Sequence, residues 1–223
     1  MSTVWNAATY DPERRRLVPC FDDFYGSVAE LIARCCPPSP RILDLGAGTG
    51  ILSSAIMERV GTGQLTLLDA STEMLERATA RLVQWQPRII VQPLTAPLPS
   101  GPFEAVVSAL AIHHFNDEEK RCLYARILNV LSSGGMFINA EQVIGASSRL
   151  QKLFEAVHLD GARNLGSSEA EIKAAVERMG YDQCSTVADQ IVWLKQAGYE
   201  DAECFYRSFR FAVFGGWKPN ASL

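Results

Sequence analysis

A surplus of basic residues, paired cysteines at metal-binding spacing and long apolar runs are all missing from this chain. Its 223 residues include 21 Lys and Arg against 25 Asp and Glu, a formal charge of -4, so the broad positive field of a nucleic-acid binder is not expected. No apolar run approaches the roughly 18 to 20 residues of a membrane span. Met1 to Tyr10 also lacks the basic-then-apolar layout of a secretory signal. The expectation is a cytosolic protein that engages neither a membrane nor nucleic acid. Cys20, Cys35, Cys36, Cys122, Cys184 and Cys204 form no Cys-x-x-Cys pair, and His113, His114 and His158 complete no zinc set at recognised spacing. Free thiols in a reducing compartment, and no metal, are expected. With 16 Gly and 11 Pro the chain is not of low complexity, and 48% hydrophobic with 21% charged residues is globular. The length fits one domain.

What is present is an alternation of short apolar runs with helix-period segments, the pattern of a parallel sheet covered by helices. The runs are Arg41 to Leu45, Gln64 to Asp69, Arg88 to Gln92, Ala105 to Ile112 and Met136 to Val143, the last entered through a turn at Ser132 to Gly135. Phe24, Val28, Leu31, Ile32 and Cys35 recur at helical spacing before the first run, and Pro37-Pro38 stops that helix. Ser147 to Met179 reads as helix throughout, with a capping box at Ser168 and Glu171, and is expected to be a lid. A helix at Val187 to Ala197 precedes two closing apolar-aromatic runs, Glu203 to Ser208 and Phe209 to Phe214. Their connection is too short for a helical crossover, so they are expected to pair antiparallel.

Asp44-Leu45-Gly46-Ala47-Gly48-Thr49-Gly50 stands at a strand-to-helix turn. Glycine there allows a sharp turn and a ligand approach that a Cβ would block. The third glycine falls one place too early for the Gly-x-Gly-x-x-Gly of dinucleotide sites. Asp44 is placed to meet an ammonium group, directly or through water, which favours S-adenosylmethionine over NAD. Asp69, 19 residues beyond Gly50, ends the second run and offers two acceptor oxygens to a ribose; its structural alternative is to favour the N-terminus of the helix after Ser71. Met74 is a candidate for one adenine face or for simple core.

With these features the sequence resembles the class I S-adenosylmethionine-dependent methyltransferases. The likeness also runs through Tyr10 to Arg14, Pro19 to Tyr25, Val107 to His114, Gly134-Gly135, Trp193 to Tyr199 and Phe211 to Gly216. It points to a subgroup of small bacterial and archaeal enzymes to which the carboxy-S-adenosylmethionine synthases are related. The resemblance implies a Rossmann-like, doubly wound α/β sheet of seven strands with its last strand antiparallel. It implies S-adenosylmethionine as cofactor and S-adenosylhomocysteine as product, held by Asp44, Gly46, Ala47, Gly48, Gly50, Asp69, Ala70, Met74 and Ser108. Where the family ends its third strand on a Gly-Asp-Ala-like segment, this chain has Gln92-Pro93-Leu94, so adenine contacts fall to the Gln92 side chain and the Leu94 amide.

His113 and His114 follow the fourth run, at the carboxyl edge where ligands of open α/β sheets collect, and are candidates to orient or deprotonate a methyl acceptor. Glu141, ending the fifth run, is a further catalytic candidate. Tyr10, Arg14, Tyr25 and the 147–179 segment are expected to form the acceptor chamber. The synthases carry an arginine before a Leu-x-x-Ala-Gly segment where this chain has Trp193, which is read as an apolar chamber wall or as helix core. The expected whole is one methyltransferase domain, 1–223, divided into an N-terminal helical cover (1–40), a cofactor-binding core (41–143), a helical lid (144–182) and a closing helix and hairpin (183–223). Methyl transfer to a small molecule is the expected activity. A carboxy-S-adenosylmethionine synthase-like or tRNA-modifying role and a non-catalytic S-adenosylmethionine-binding module are the alternatives, and the chain could work as a homodimer.

Overall fold

The computed structural model describes residues 10–221. Two helices, α1 (Tyr10–Leu17) and α2 (Phe21–Cys35), precede the sheet, where the periodicity had indicated only the second. The chain then alternates β1 (Arg41–Leu45), α3 (Ile51–Val60), β2 (Gln64–Asp69), α4 (Thr72–Arg81), β3 (Arg88–Val91) and β4 (Phe103–Ala109). It continues with α5 (Asp117–Val130), β5 (Leu131–Gln142), α6 (Ser148–Asn164), α7 (Glu169–Met179), α8 (Val187–Ala197), β6 (Glu200–Ser208) and β7 (Phe211–Trp217).

The strands form one sheet in the order β3-β2-β1-β4-β5-β7-β6. All pairings from β3 to β5 are parallel, and β7 runs antiparallel to both β5 and β6. Alternate residues feed opposite faces, as the pleat requires. Ile42, Leu65, Leu67, Val107, Ile138 and Val213 join a core with α2, α3 and α4, while Leu43, Leu45, Val106, Phe137 and Phe214 join one with α5 and α8. The strand order reverses between β1 and β4, so the loops leaving these neighbours diverge and open a crevice at their carboxyl ends.

Three departures from the periodicity have local causes. The 147–179 segment is two helices, because Leu165 to Ser168 leaves helical geometry before Ser168 caps α7 through the expected box with Glu171. Ile112 to His114 is a single 3-10 turn rather than the end of β4. Ser132 to Gly135 lies within β5, where the Lys218 amide donates to the Gly135 carbonyl at 2.8 Å.

The segment joining α7 to α8 is pinned beneath the crevice. The Gln183 amide donates to the His113 carbonyl at 2.8 Å. Lys120, 1% exposed, donates its ammonium to the Gln183 carbonyl and, at 2.6 Å, to the Ser185 hydroxyl. Removing a buried charged donor that holds two acceptors costs about 2 to 3 kcal/mol. Lys120→Met should therefore lower the melting temperature and, more specifically, speed hydrogen exchange at Gln183. Unchanged exchange there would show that the ammonium does not hold this segment.

Candidate functional site

The turn after β1 owes its shape to glycine. Gly46 has φ +68°, and a Cβ on it would stand 2.4 Å from the Ala111 Cβ, so the loops after β1 and β4 touch only because that atom is absent. Gly48 has φ +53° and no atom within 4 Å of where its Cβ would be, which leaves its backbone facing open space.

Two cavities occupy the crevice. One, lined by Tyr10, Tyr25, Asp44, Gly46 to Thr49 and Ala109, reaches the end of β1. The second, about 200 Å³, is bounded by Gly46, Gly48, Asp69, Ser71, Met74, Leu110, Ala111 and His114, and is covered by Tyr10 and Arg14 of α1. Leu110 holds φ +52°, a costly backbone for a branched residue and of the kind that gathers at ligand sites. Asp11 fastens α1 over the crevice: it accepts from the Thr49 hydroxyl at 2.6 Å and pairs with Arg81 of α4.

Asp69 works on both sides of the larger cavity. Its Oδ2 accepts from the Gly48 amide at 2.9 Å and its Oδ1 from the Ser71 amide at 2.8 Å. Each oxygen keeps a second lone pair, so both the helix-terminus role and a ribose role are open to this one carboxylate. Asp44, 1% exposed, accepts from the Ser53 hydroxyl at 2.6 Å through Oδ2, while its Oδ1 has no partner among the described residues. Burial pushes this carboxyl up to about 7, with the Ser53 bond opposing and the charge of Asp69 adding to the shift. An orphaned carboxylate oxygen beside a glycine cradle fits an ammonium-bearing ligand such as S-adenosylmethionine: Asp44 would take the ammonium, Gly48 the close approach, Asp69 the ribose and Met74 a ring face.

A third cavity of about 730 Å³ adjoins these. It is lined by Arg14, His113, His114, Gln142 and His158 and walled by α7 residues including Arg178 and Met179, with Asp182 at its rim. Arg14 and His114 line this chamber and the 200 Å³ cavity alike. Arg14 is 6% exposed; burial opposes its charge, and the facing Tyr10, Tyr25 and Glu141 oxygens more than offset that. His158 donates from Nε2 to the Leu17 carbonyl at 2.8 Å, and burial with the nearby Arg210 charge lowers it to about 4, so it is a neutral tether of α6 to α1.

Several sequence candidates lie elsewhere. Ser108 is fully buried with its hydroxyl donating to the Leu45 carbonyl at 2.7 Å, so it ties β4 to β1 and does not reach the crevice. Trp193 packs in the α5/α8 core under the Arg121 guanidinium, outside the chamber, as its apolar neighbours on the helix also allowed. Gln92 donates its amide to the Pro97 carbonyl, Leu94 packs beside the α5/α8 core, and neither they nor exposed Ala70 line the cavities. Gly50 caps α3 behind the loop. Tyr25 lines the Asp44 cavity rather than the chamber. Glu141 is 1% exposed and accepts from the Ile112 and His113 amides, both at 3.0 Å, from the Gln142 amide at 2.8 Å and from His113 Nδ1 at 2.6 Å. It holds the His113 ring and is not among the residues lining the chamber. Residues the sequence reading missed are Asp11, Arg178 and Asp182, each brought in from a distant helix or connection.

Two results are expected. Asp69→Ala removes a ribose acceptor and the Gly48 anchor together, a loss of about 2 to 4 kcal/mol, so calorimetry should show S-adenosylhomocysteine binding weakened at least about 30-fold. A change under about threefold would contradict the assignment. Binding an ammonium at Asp44 must drive off the proton that burial retains near pH 7, so affinity should fall about tenfold from pH 8 to pH 6. In Asp44→Asn that dependence should vanish, and a flat wild-type profile would show that the carboxylate does not meet the cofactor.

Comparison with known proteins agrees with this geometry. A family described as a methyltransferase domain matches residues 42–135. The carboxy-S-adenosyl-L-methionine synthase of Shewanella amazonensis is 28% identical over 206 residues, covering 89% of this chain and 84% of that protein. Its counterpart in Pseudomonas entomophila is 29% identical, with the same coverage of 89% and 84%. Among solved structures, human N-acetylserotonin methyltransferase in complex with SAM aligns at a TM-score of 0.57 and 19% identity over 96% of this chain and 58% of its own. An O-methyltransferase family protein from Burkholderia thailandensis aligns at 0.66 and 12% identity, over 92% and 58%. This chain thus spans less than two thirds of those solved chains, which share its fold. Residues 42–135 thus match a methyltransferase domain, and most of the chain is similar to the carboxy-S-adenosyl-L-methionine synthases.

Proposed function

We propose that this protein moves a methyl group from S-adenosylmethionine to a small-molecule acceptor seated in the 730 Å³ chamber, with the His113-His114 pair activating the acceptor. The observation that carries the reading is the junction: His114 and Arg14 line the cofactor cavity and the chamber at once, so a group bound on one side meets a group bound on the other. When bound, the cofactor supplies a methyl group on a sulfonium whose departure is neutral. The protein's share is then to align the acceptor and exclude water. α1 covers the cofactor cavity, α6 and α7 wall the chamber, and Glu141 fixes the His113 ring with Nε2 towards the chamber. The site pairs of Asp44 with the ammonium, Asp69 with the ribose, and Tyr10 and Arg14 as cover belong to the same proposal.

A second reading follows from the relatives: a carboxylated cofactor, whose extra negative charge the buried Arg14 guanidinium at the junction would offset. Trp193 no longer argues against it, because it stands outside the chamber. Mass spectrometry of ligand released from the purified protein separates the two. The proposal expects S-adenosylmethionine or S-adenosylhomocysteine, and the carboxylated species would transfer the assignment to synthesis. In an acceptor screen with labelled methyl donor, His114→Ala should lose about 10²- to 10⁴-fold in turnover while binding S-adenosylhomocysteine as the wild type does. Full turnover in that variant would remove the histidine from the chemistry.

A further inference from the structure

We propose that His113, His114 and Asp182 form a binding site for one divalent cation of the Zn²⁺ or Co²⁺ type at the rim of the acceptor chamber. Glu141 Oε1 lies 2.6 Å from His113 Nδ1 and is an acceptor, so in the neutral ring Nδ1 carries the proton and Nε2 presents its lone pair. That lone pair faces Asp182 Oδ1 at 3.5 Å, and His114 Nδ1 faces the same oxygen at 3.4 Å. In its Nε2-protonated tautomer His114 also presents a lone pair at Nδ1, so three potential ligand atoms converge, with the Gln142 side-chain amide 3.5 Å from His113 Nε2 beside them.

Ligand bonds of about 2.0 to 2.1 Å at tetrahedral angles hold ligand atoms about 3.4 Å apart. Two edges of the triangle already have that length. All three atoms lie within 4.8 Å of one another, and the remaining edge closes by turning His114, whose side chain is 54% exposed, while His113 and Asp182 stay in place. Both fixed ligands are held from behind. The Glu141-His113 bond is the carboxylate-histidine pairing that orients metal-bound imidazoles. Asp182 is braced by the Gln142 side-chain amide on Oδ2 at 3.1 Å and by the Lys120 and Gln183 bonds just beyond it. Two imidazoles and a carboxylate leave coordination positions open, here towards the chamber, and such sites suit Zn²⁺, Co²⁺ or Fe²⁺ rather than Mg²⁺ or Ca²⁺. An ion there would polarise an acceptor oxygen and ease loss of its proton, so the inference deepens the acceptor reading and rests on it for its role, though not for its existence. Sequence spacing hides the site, since 113–114 and 182 belong to different connections.

The test is metal binding to the whole purified chain after chelation, with Co²⁺ followed by its visible ligand-field bands and Zn²⁺ by calorimetry. The expected result is one ion per chain, a four- or five-coordinate Co²⁺ spectrum without thiolate charge transfer, and a Zn²⁺ Kd below about 1 μM. Asp182→Asn and His114→Ala, each checked for an unchanged melting profile, should weaken binding at least about tenfold. Absence of stoichiometric binding, binding that both variants retain, or a thiolate band placing the ion on cysteines would each overturn the proposal. S-adenosylhomocysteine calorimetry on the same samples reports the cofactor reading separately.

Discussion

The Asp69 carboxylate joins the turn after β1 to the loop after β2, the two walls of the proposed cofactor cavity. One oxygen holds the Gly48 amide of the turn after β1 and the other holds the Ser71 amide that opens α4. The turn after β1 leaves the sheet at the reversal of strand order between β1 and β4, and the loop after β2 lies on its other side. That carboxylate adds a side-chain tie at Gly48 to the two backbone bonds by which the Gly46 and Ala47 amides donate to the Leu68 carbonyl of β2, at 2.8 and 3.1 Å. Asp44 adds a second constraint from the neighbouring strand: a carboxylate taken out of water with one oxygen unmatched costs stability unless something positive arrives. With its carboxyl raised to about 7, it favours folding at low pH and gives up that contribution as pH rises through 7. A bound ammonium would return it.

The 730 Å³ chamber is built differently. The cofactor loops are backbone and glycine, whereas the chamber is side chains from the far ends of the chain: Arg14 from α1, His113 and His114 after β4, Arg178 from α7 and Asp182 beyond it. α6 and α7 are tethered to α1 through His158 on the Leu17 carbonyl and through Arg16 paired with Glu171.

Much of the cofactor half was legible because it is local. β1, α3 and β2 run from Arg41 to Asp69 with the limits their apolar periodicity indicates, and the Asp44 to Gly50 turn declares its geometry through its glycines. The antiparallel closing hairpin followed from the shortness of its connection. The chamber was not legible, since its members are separated by long stretches of chain and meet only through packing. Trp193 shows the limit well: the sequence left it open between chamber wall and helix core, and only the packing puts it in the α5/α8 core. Ser108 and Glu141 stand apart from the cavities for a related reason: Ser108 bonds the Leu45 carbonyl, and Glu141 bonds the Ile112, His113 and Gln142 amides together with the His113 ring. Asp11 and Asp182 gave no signal, each being one carboxylate among many until the fold sets it against Thr49 or the histidines.

A crystal structure of the complex with S-adenosylhomocysteine tests the central claim most directly. The account places the ligand ammonium within hydrogen-bond reach of Asp44, by contact or through one water, its ribose hydroxyls on Asp69, and its sulfur towards the His114 and Arg14 junction. A nucleoside found outside the crevice between β1 and β4, or a ribose held by residues other than Asp69, would contradict it.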